Sequence, residues 1–115
     1  MDFKKQKPIY LQIADTLCEH IVAGEWEADQ RIPSVRDVAS ELGVNPNTVM
    51  RTFEYLQSRE IIYNRRGVGF FVAAEAKPTI VALHKEEFVN DELPAILQKM
   101  RILGLTLDDL RPYAT

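Results

Sequence analysis

The chain has 115 residues, 46% of them apolar, enough for one compact core and a modest appendage but not for two full domains. No apolar run approaches the roughly 18 residues of a membrane span, and the start of the chain is polar and charged rather than an apolar signal core, so a cytoplasmic location and no membrane contact are expected. The formal net charge of −3 argues against indiscriminate, charge-driven binding to polyanions, and the lone Cys18 cannot form an internal disulfide.

Pro8 opens the first helical pattern. Ile9, Ile13, Leu17 and Ile21 recur every four residues, widened by Ala14, Cys18 and Val22, with Gln12, Asp15, Thr16, Glu19 and His20 on the wet side. Gly24 stands where the helix should end. The polar connection to Pro33 then offers Trp26 and Ile32 as anchors into the core.

Ser34 is a good N-cap for a helix from Val35 to Leu42, with Asp37 three residues on completing an acidic capping box. Gly43 ends that helix, Asn45 caps the next, and Pro46 fits its first turn, the pattern running to about Arg59. So short a connection forces the two helices to cross sharply. Ala39 supplies the small side chain and Gly43 the permissive backbone for that crossing. On the third helix Val49, Phe53 and Leu56 share one face, about 200° from Asn47 and Arg51.

The period then changes toward 2. Ile61-Ile62-Tyr63 and Phe70-Phe71-Val72 are short β-prone runs joined as a hairpin by residues 64–69. Three helices followed by a two-stranded hairpin predict a mainly α fold with a small β-hairpin, a winged helix-turn-helix over residues 1–77. Residues 73–78 read as a short linker. A second helical region, residues 78–115, starts at Thr79 or Ile80 and runs to about Leu103, interrupted near Pro94 and closed by Gly104. Thr106 with Asp109 can cap a last short turn.

A rigid second helix of such a motif can lie in the major groove of DNA, where base edges display distinct donors and acceptors. Asn45, Asn47, Thr48 and Arg51 supply side chains of suitable reach, although Asn45 and Thr48 also suit purely structural roles at a helix start. Arg36, in the first turn after Ser34, suits a phosphate clamp, or else a surface ion pair with Asp37 or Glu41. Arg65 and Arg66, with Gly67 and Gly69, suit a wing reaching the minor groove or backbone, or else an ordinary solvated turn. Between Arg31 and Val72 six arginines face four acids, so the positive charge gathers where the motif lies.

Ile80, Leu83, Phe88, Leu93, Ile96, Leu97 and Met100 form an apolar stripe that predicts dimerisation with a second copy, or packing back on the chain's own winged domain. So short a segment cannot enclose a metabolite in a pocket of about 300–1,000 Å³, and no effector is identified from it. His20 and His84 lack companions at ligand spacing, so no metal is expected. No cofactor, nucleophile–base pair or phosphate-cradling loop is expected either, and an enzyme is disfavoured. Cys18 reads as core packing. A protein-binding winged helix is disfavoured by the arginines of the wing, and an RNA-binding surface by the lack of an aromatic platform, since one of Phe70 and Phe71 must enter the core.

Four runs together resemble the N-terminal domain of the GntR family. They are Pro8-Ile9-Tyr10, Ile32-Pro33-Ser34-Val35-Arg36, Val44-Asn45-Pro46-Asn47-Thr48-Val49 and the stretch from Arg65 to Val72. The C-terminal Leu103-Gly104-Leu105-Thr106-Leu107-Asp108-Asp109-Leu110 is similar to the YtrA subfamily. The resemblance implies a homodimeric repressor on a palindromic double-stranded operator, often beside a transporter operon. Its contacts would be Arg36, Asn45, Asn47, Thr48, Arg51 and the wing at Gly67 to Gly69. Asp29 and Glu60 stand where the family commonly has glycine, and altered local backbone is expected there. Pro46 replaces an arginine found in many other branches.

Overall fold

The computed structural model describes residues 7–114, which divide into two compact units on either side of the Ile80–Val81 bond. In the first unit α1 (Ile9–Val22), α2 (Val35–Leu42) and α3 (Pro46–Ser58) precede a hairpin of β1 (Ile62–Arg65) and β2 (Gly69–Val72), and α4 (Ala76–Glu87) begins there. This is the expected winged helix-turn-helix.

The stripe on α1 buries Ile13, Ala14, Leu17, Cys18 and Ile21, while Ile9 and Val22 at its two ends remain exposed. Both capping expectations hold. The Asp37 backbone N–H donates to Ser34 Oγ, and the Ser34 N–H donates back to the Asp37 carboxylate, a reciprocal box worth about 1 kcal/mol. Asn45 Oδ1 accepts from the Asn47 N–H at 2.7 Å. Gly43 ends α2 in the left-handed conformation, φ 68°, and the following Val44 N–H returns to the Ala39 carbonyl. Val49, Phe53 and Leu56 have no exposed surface, so α3 is the pillar of the core, packed by α1, α2 and β1.

The C-terminus of α3 is a Schellman motif. The Ile61 N–H donates to the Leu56 carbonyl and the Glu60 N–H to that of Gln57, with Leu56 and Ile61 both fully buried. Such a motif needs a left-handed residue, and Glu60 takes φ 62°. Asp29 does the same in the turn closed by the Gln30 N–H on the Glu27 carbonyl. Both positions therefore keep the left-handed backbone that glycine adopts readily, rather than the altered path expected from the substitution.

The strands extend further into the connection than expected, pairing Ile62 with Val72 through Arg65 with Gly69. Only Arg66, Gly67 and Val68 remain as the tip, closed by the Val68 N–H on the Arg65 carbonyl, with Gly67 at φ 77°. A short segment also lies along the other edge of β2. The Ile32 N–H donates to Phe70, the Val72 N–H to Gln30, and Arg31 bridges Phe71. Ile32 is buried as expected, but Trp26 is only half-buried and stacks on His20, with ring centroids 4.6 Å apart.

Residues 73–78 are not a linker throughout, because α4 starts at Ala76, one turn earlier than expected. Pro78 sits in its first turn, where a missing N–H costs nothing, and Ala76 and Ile80 are both buried. In the second unit a π-helical turn, Phe88–Glu92, interrupts the helix just before Pro94 as expected. Then come α5 (Leu93–Leu103), ended by Gly104, α6 (Leu107–Leu110), capped by Thr106 and Asp109, and a 3₁₀ turn, Arg111–Tyr113. Among the described residues no helix is long and apolar enough to cross a membrane.

Candidate nucleic-acid interface

The predicted recognition side chains share the open edge of α3. Asn47 and Arg51 are exposed opposite the sealed row of Val49, Phe53 and Leu56, with the exposed cap Asn45 and the half-buried Thr48 beside them at the start of the helix. Asn45 uses its carbonyl oxygen as a cap, which leaves its amide N–H groups for another partner. The Arg51 guanidinium lies over the Tyr10 ring of α1, 4.1 Å from the centroid, and Tyr10 meets Tyr55 edge-on. This contact gives Arg51 a structural role that sequence reading missed, worth about 0.5–1 kcal/mol at an exposed site. It also fixes where the cation sits while leaving the edge of its N–H fork open.

One hydrogen bond ties α3 to α1 from below. Thr52, fully buried, donates its hydroxyl to the Tyr10 carbonyl at 2.7 Å and lies within reach of the Thr48 carbonyl at 3.2 Å. A threonine on the inward face reads as neutral in sequence, so nothing flagged this α1–α3 tie.

Arg36 is exposed on the first turn of α2 and makes no ion pair with Asp37 or Glu41, because the Asp37 carboxylate closes the capping box on Ser34. Ser34 Oγ is engaged as an acceptor there and retains its own O–H as a donor. At the wing, Arg65 and Arg66 are exposed, and Gly67 carries the turn.

The pairing register sorts the wing into two faces. Ile62, Asn64, Phe70 and Val72 form the inward face, where Phe70 meets Phe53 edge-on at 4.9 Å. Tyr63, Arg65, Gly69 and Phe71 form the outward face. Phe71 is nonetheless nearly buried, because the Tyr63 ring stacks on it at 5.6 Å and the Arg65 guanidinium lies 5.2 Å from its centroid. Both phenylalanines are thus covered within the chain.

Tyr63 ties the wing to the preceding loop, donating its hydroxyl to Asp29 Oδ1 at 2.8 Å. That bond holds the phenol above its ordinary value of 10.0, helped by desolvation and the Asp29 charge and opposed by Arg65. Among the described residues no three His, Cys, Asp or Glu side chains gather as metal ligands.

The residues of the predicted apolar stripe differ in exposure within the single chain. Ile80, which belongs to the first unit, is fully buried and offers a partner no surface, and Met100 is buried but for 9% of its surface. The early start of α4 explains Ile80, which follows Ala76 by one turn on the same inward face. Phe88, Ile96 and Leu97 are exposed, Leu83 and Leu93 half-buried, and Val89, Ile102, Leu103 and Leu107 add exposed apolar surface outside the predicted set.

Known proteins share this architecture. An uncharacterized HTH-type transcriptional regulator of Bacillus subtilis, YhcF, is 38% identical over 108 residues, covering 94% of this chain and 88% of its own. The HTH-type transcriptional repressor YtrA of the same organism is 29% identical over 113 residues, covering 98% and 86%. A crystal structure of a transcriptional regulator of the GntR family from Bacteroides thetaiotaomicron superposes with a TM-score of 0.80 at 48% identity, covering 91% of each chain. The DNA-binding domain of AraR, solved in complex with operator ORR3, superposes with a TM-score of 0.59 at 27% identity over 64% of this chain and 88% of that one. These relatives are regulators rather than enzymes. Residues 9–72, from the first turn of α1 to the end of the wing, match the description "Bacterial regulatory proteins, gntR family", and the chain belongs to that family.

Proposed function

We propose that the protein is a sequence-specific, double-stranded-DNA-binding transcription regulator that acts in the cytoplasm as a repressor on a palindromic operator near a transporter operon. The observation that carries this reading is the division of α3. One face is sealed in the core by Val49, Phe53 and Leu56, and the opposite edge offers Asn47 and Arg51, with Asn45 and Thr48 at the start of the helix beside them. A helix so braced presents hydrogen-bonding tips with little loss of conformational freedom on entering a major groove. Asn47 and Arg51 read base edges, Ser34 and Arg36 hold a phosphate at the start of α2, and Arg65, Arg66, Gly67 and Gly69 meet the flanking backbone or minor groove. The AraR domain, similar in fold and solved in complex with an operator, supports DNA as the partner.

The repressor assignment rests on the similarity to the repressor YtrA, and the operon context on the subfamily resemblance of the C-terminal segment alone. The palindrome follows from a homodimer, since two-fold symmetry in the protein calls for matching half-sites. The exposed Phe88, Ile96 and Leu97 of the second unit support an isologous contact with a second copy. Footprinting of the DNA upstream of the protein's own operon, repeated over a salt series, tests the reading. A protected, two-fold symmetric site that survives competition by unrelated duplex supports it. Equal affinity for every duplex, lost together as salt rises, refutes sequence-specific regulation.

A further inference from the structure

Arg31 lies outside the hairpin, yet its side chain lies on the wing. The bonds from the Ile32 N–H to Phe70 and from the Val72 N–H to Gln30 flank the Arg31–Phe71 bridge. That is the narrow, non-hydrogen-bonded kind of antiparallel pair, in which facing side chains rise together from one face. Arg31, Phe71 and Tyr63 therefore stand in one row across the outward face, and Gly69 and Arg65 form the next row toward the tip.

Gly69 leaves a gap in that second row, and the Arg31 side chain fills it. A Cβ added at Gly69 would stand 2.7 Å from Arg31 Nε, so the guanidinium would have to leave its seat, and 3.3 Å from one terminal nitrogen, a tight contact; the φ of 146° would strain any other residue there as well. So the glycine does more than permit a turn, because it seats a guanidinium from a neighbouring segment directly across from Arg65. Asp29 lies on the same side of that segment, but its carboxylate accepts the Tyr63 hydroxyl. Among the described residues neither Arg31, Arg65 nor Arg66 makes an ion pair.

We infer that Arg31 is a third cation of the wing, seated over Gly69 to contact a backbone phosphate of the duplex that α3 reads. The inference rests on the DNA-binding reading above. Arg31 positions the wing without selecting bases, so its loss weakens specific and nonspecific complexes alike. Arg65 and Arg66 were legible as wing cations because they sit at the tip. Arg31 was not, because four residues of ordinary polarity hide the strand that carries it.

The test measures affinity of the full chain for its footprinted site and for a scrambled duplex across a salt series, with R31A, R31Q, R31K and G69A, and R51A as a control. R31A and R31Q should lose roughly tenfold on both duplexes, and the slope of log affinity against log salt should fall in magnitude by about 0.9. R31K should keep the wild-type slope. G69A should match R31A, and the double variant should bind no worse than either. A G69A chain that fails to fold leaves the decision to the Arg31 variants, whose thermal unfolding is followed in parallel. Wild-type affinity and slope in R31A overturn the inference. So does lost affinity with an unchanged slope and a lowered melting temperature, the signature of a purely bracing side chain. If R51A loses specificity while R31A is silent, only this inference fails, whereas wild-type protein that binds no duplex removes the DNA-binding reading itself.

Discussion

At the scale of single residues, the chain repeatedly gives one side chain two jobs. Arg51 is both a partner for Tyr10 and the cation on the open edge of α3. Arg51→Ala is expected to weaken operator binding by about 1–3 kcal/mol but to lower folding stability by no more than about 1 kcal/mol. Titration calorimetry beside chemical denaturation separates the two, and a stability loss as large as the binding loss would mark Arg51 as structural. Glu60 carries strain where glycine would carry none. Left-handed backbone costs an L-residue roughly 1–2 kcal/mol, and glycine's extra freedom in the unfolded chain offsets part of that, about 0.5–1 kcal/mol. Glu60→Gly should therefore raise stability by about 0.5–1 kcal/mol in urea denaturation. Tyr63 adds a pH dependence. Its phenol is held above 10.0 by Asp29, so the fold favours the protonated form. The stabilisation is complete below the unfolded value and is lost as pH rises through the folded one. Tyr63→Phe should lack that alkaline loss of stability, and an unchanged alkaline profile in the variant would assign the loss elsewhere.

At the scale of elements, sequence legibility followed chemistry that is local along the chain. The α2–turn–α3 unit was readable because Ser34, Asp37, Gly43, Asn45 and Pro46 each state a boundary through their own backbone preference. The edge segment that carries Arg31 was not. Its pairing to β2 is set by tertiary hydrogen bonds, and residues 29–32 show neither alternation nor β-branched enrichment beyond Ile32. The early start of α4 was hidden because Pro78 reads as a breaker, although it is harmless within a first turn. Thr52 was silent for a similar reason, since its partner is a carbonyl 42 positions away. The capping box gives this scale its prediction. Ser34→Ala should cost about 1 kcal/mol and fray the start of α2, where Arg36 sits. Amide hydrogen exchange at Asp37 and Val38 should quicken, and unchanged protection there would show that the box does not hold the helix end.

At the scale of the whole molecule, the two units divide the work proposed for the protein. The first presents a braced reading edge with a cationic wing, and the second carries the apolar surface of Phe88, Ile96 and Leu97 that a second copy would cover. Sedimentation at micromolar concentration should show a dimer that Ile96→Asp dissociates, whereas the buried Ile80 should act through folding instead. A negative net charge is compatible with duplex binding because recognition is concentrated on one edge rather than spread over the surface. The central claim is that the open edge of α3 enters a major groove, and guanine N7 lies in that groove alone. Methylation protection of the upstream DNA tests it most directly. The account predicts two symmetric sets of protected N7 atoms, about 10 base pairs apart or a multiple of it, that disappear with Asn47→Ala and Arg51→Ala. Protection that persists in those variants, or none in the wild type, would contradict it.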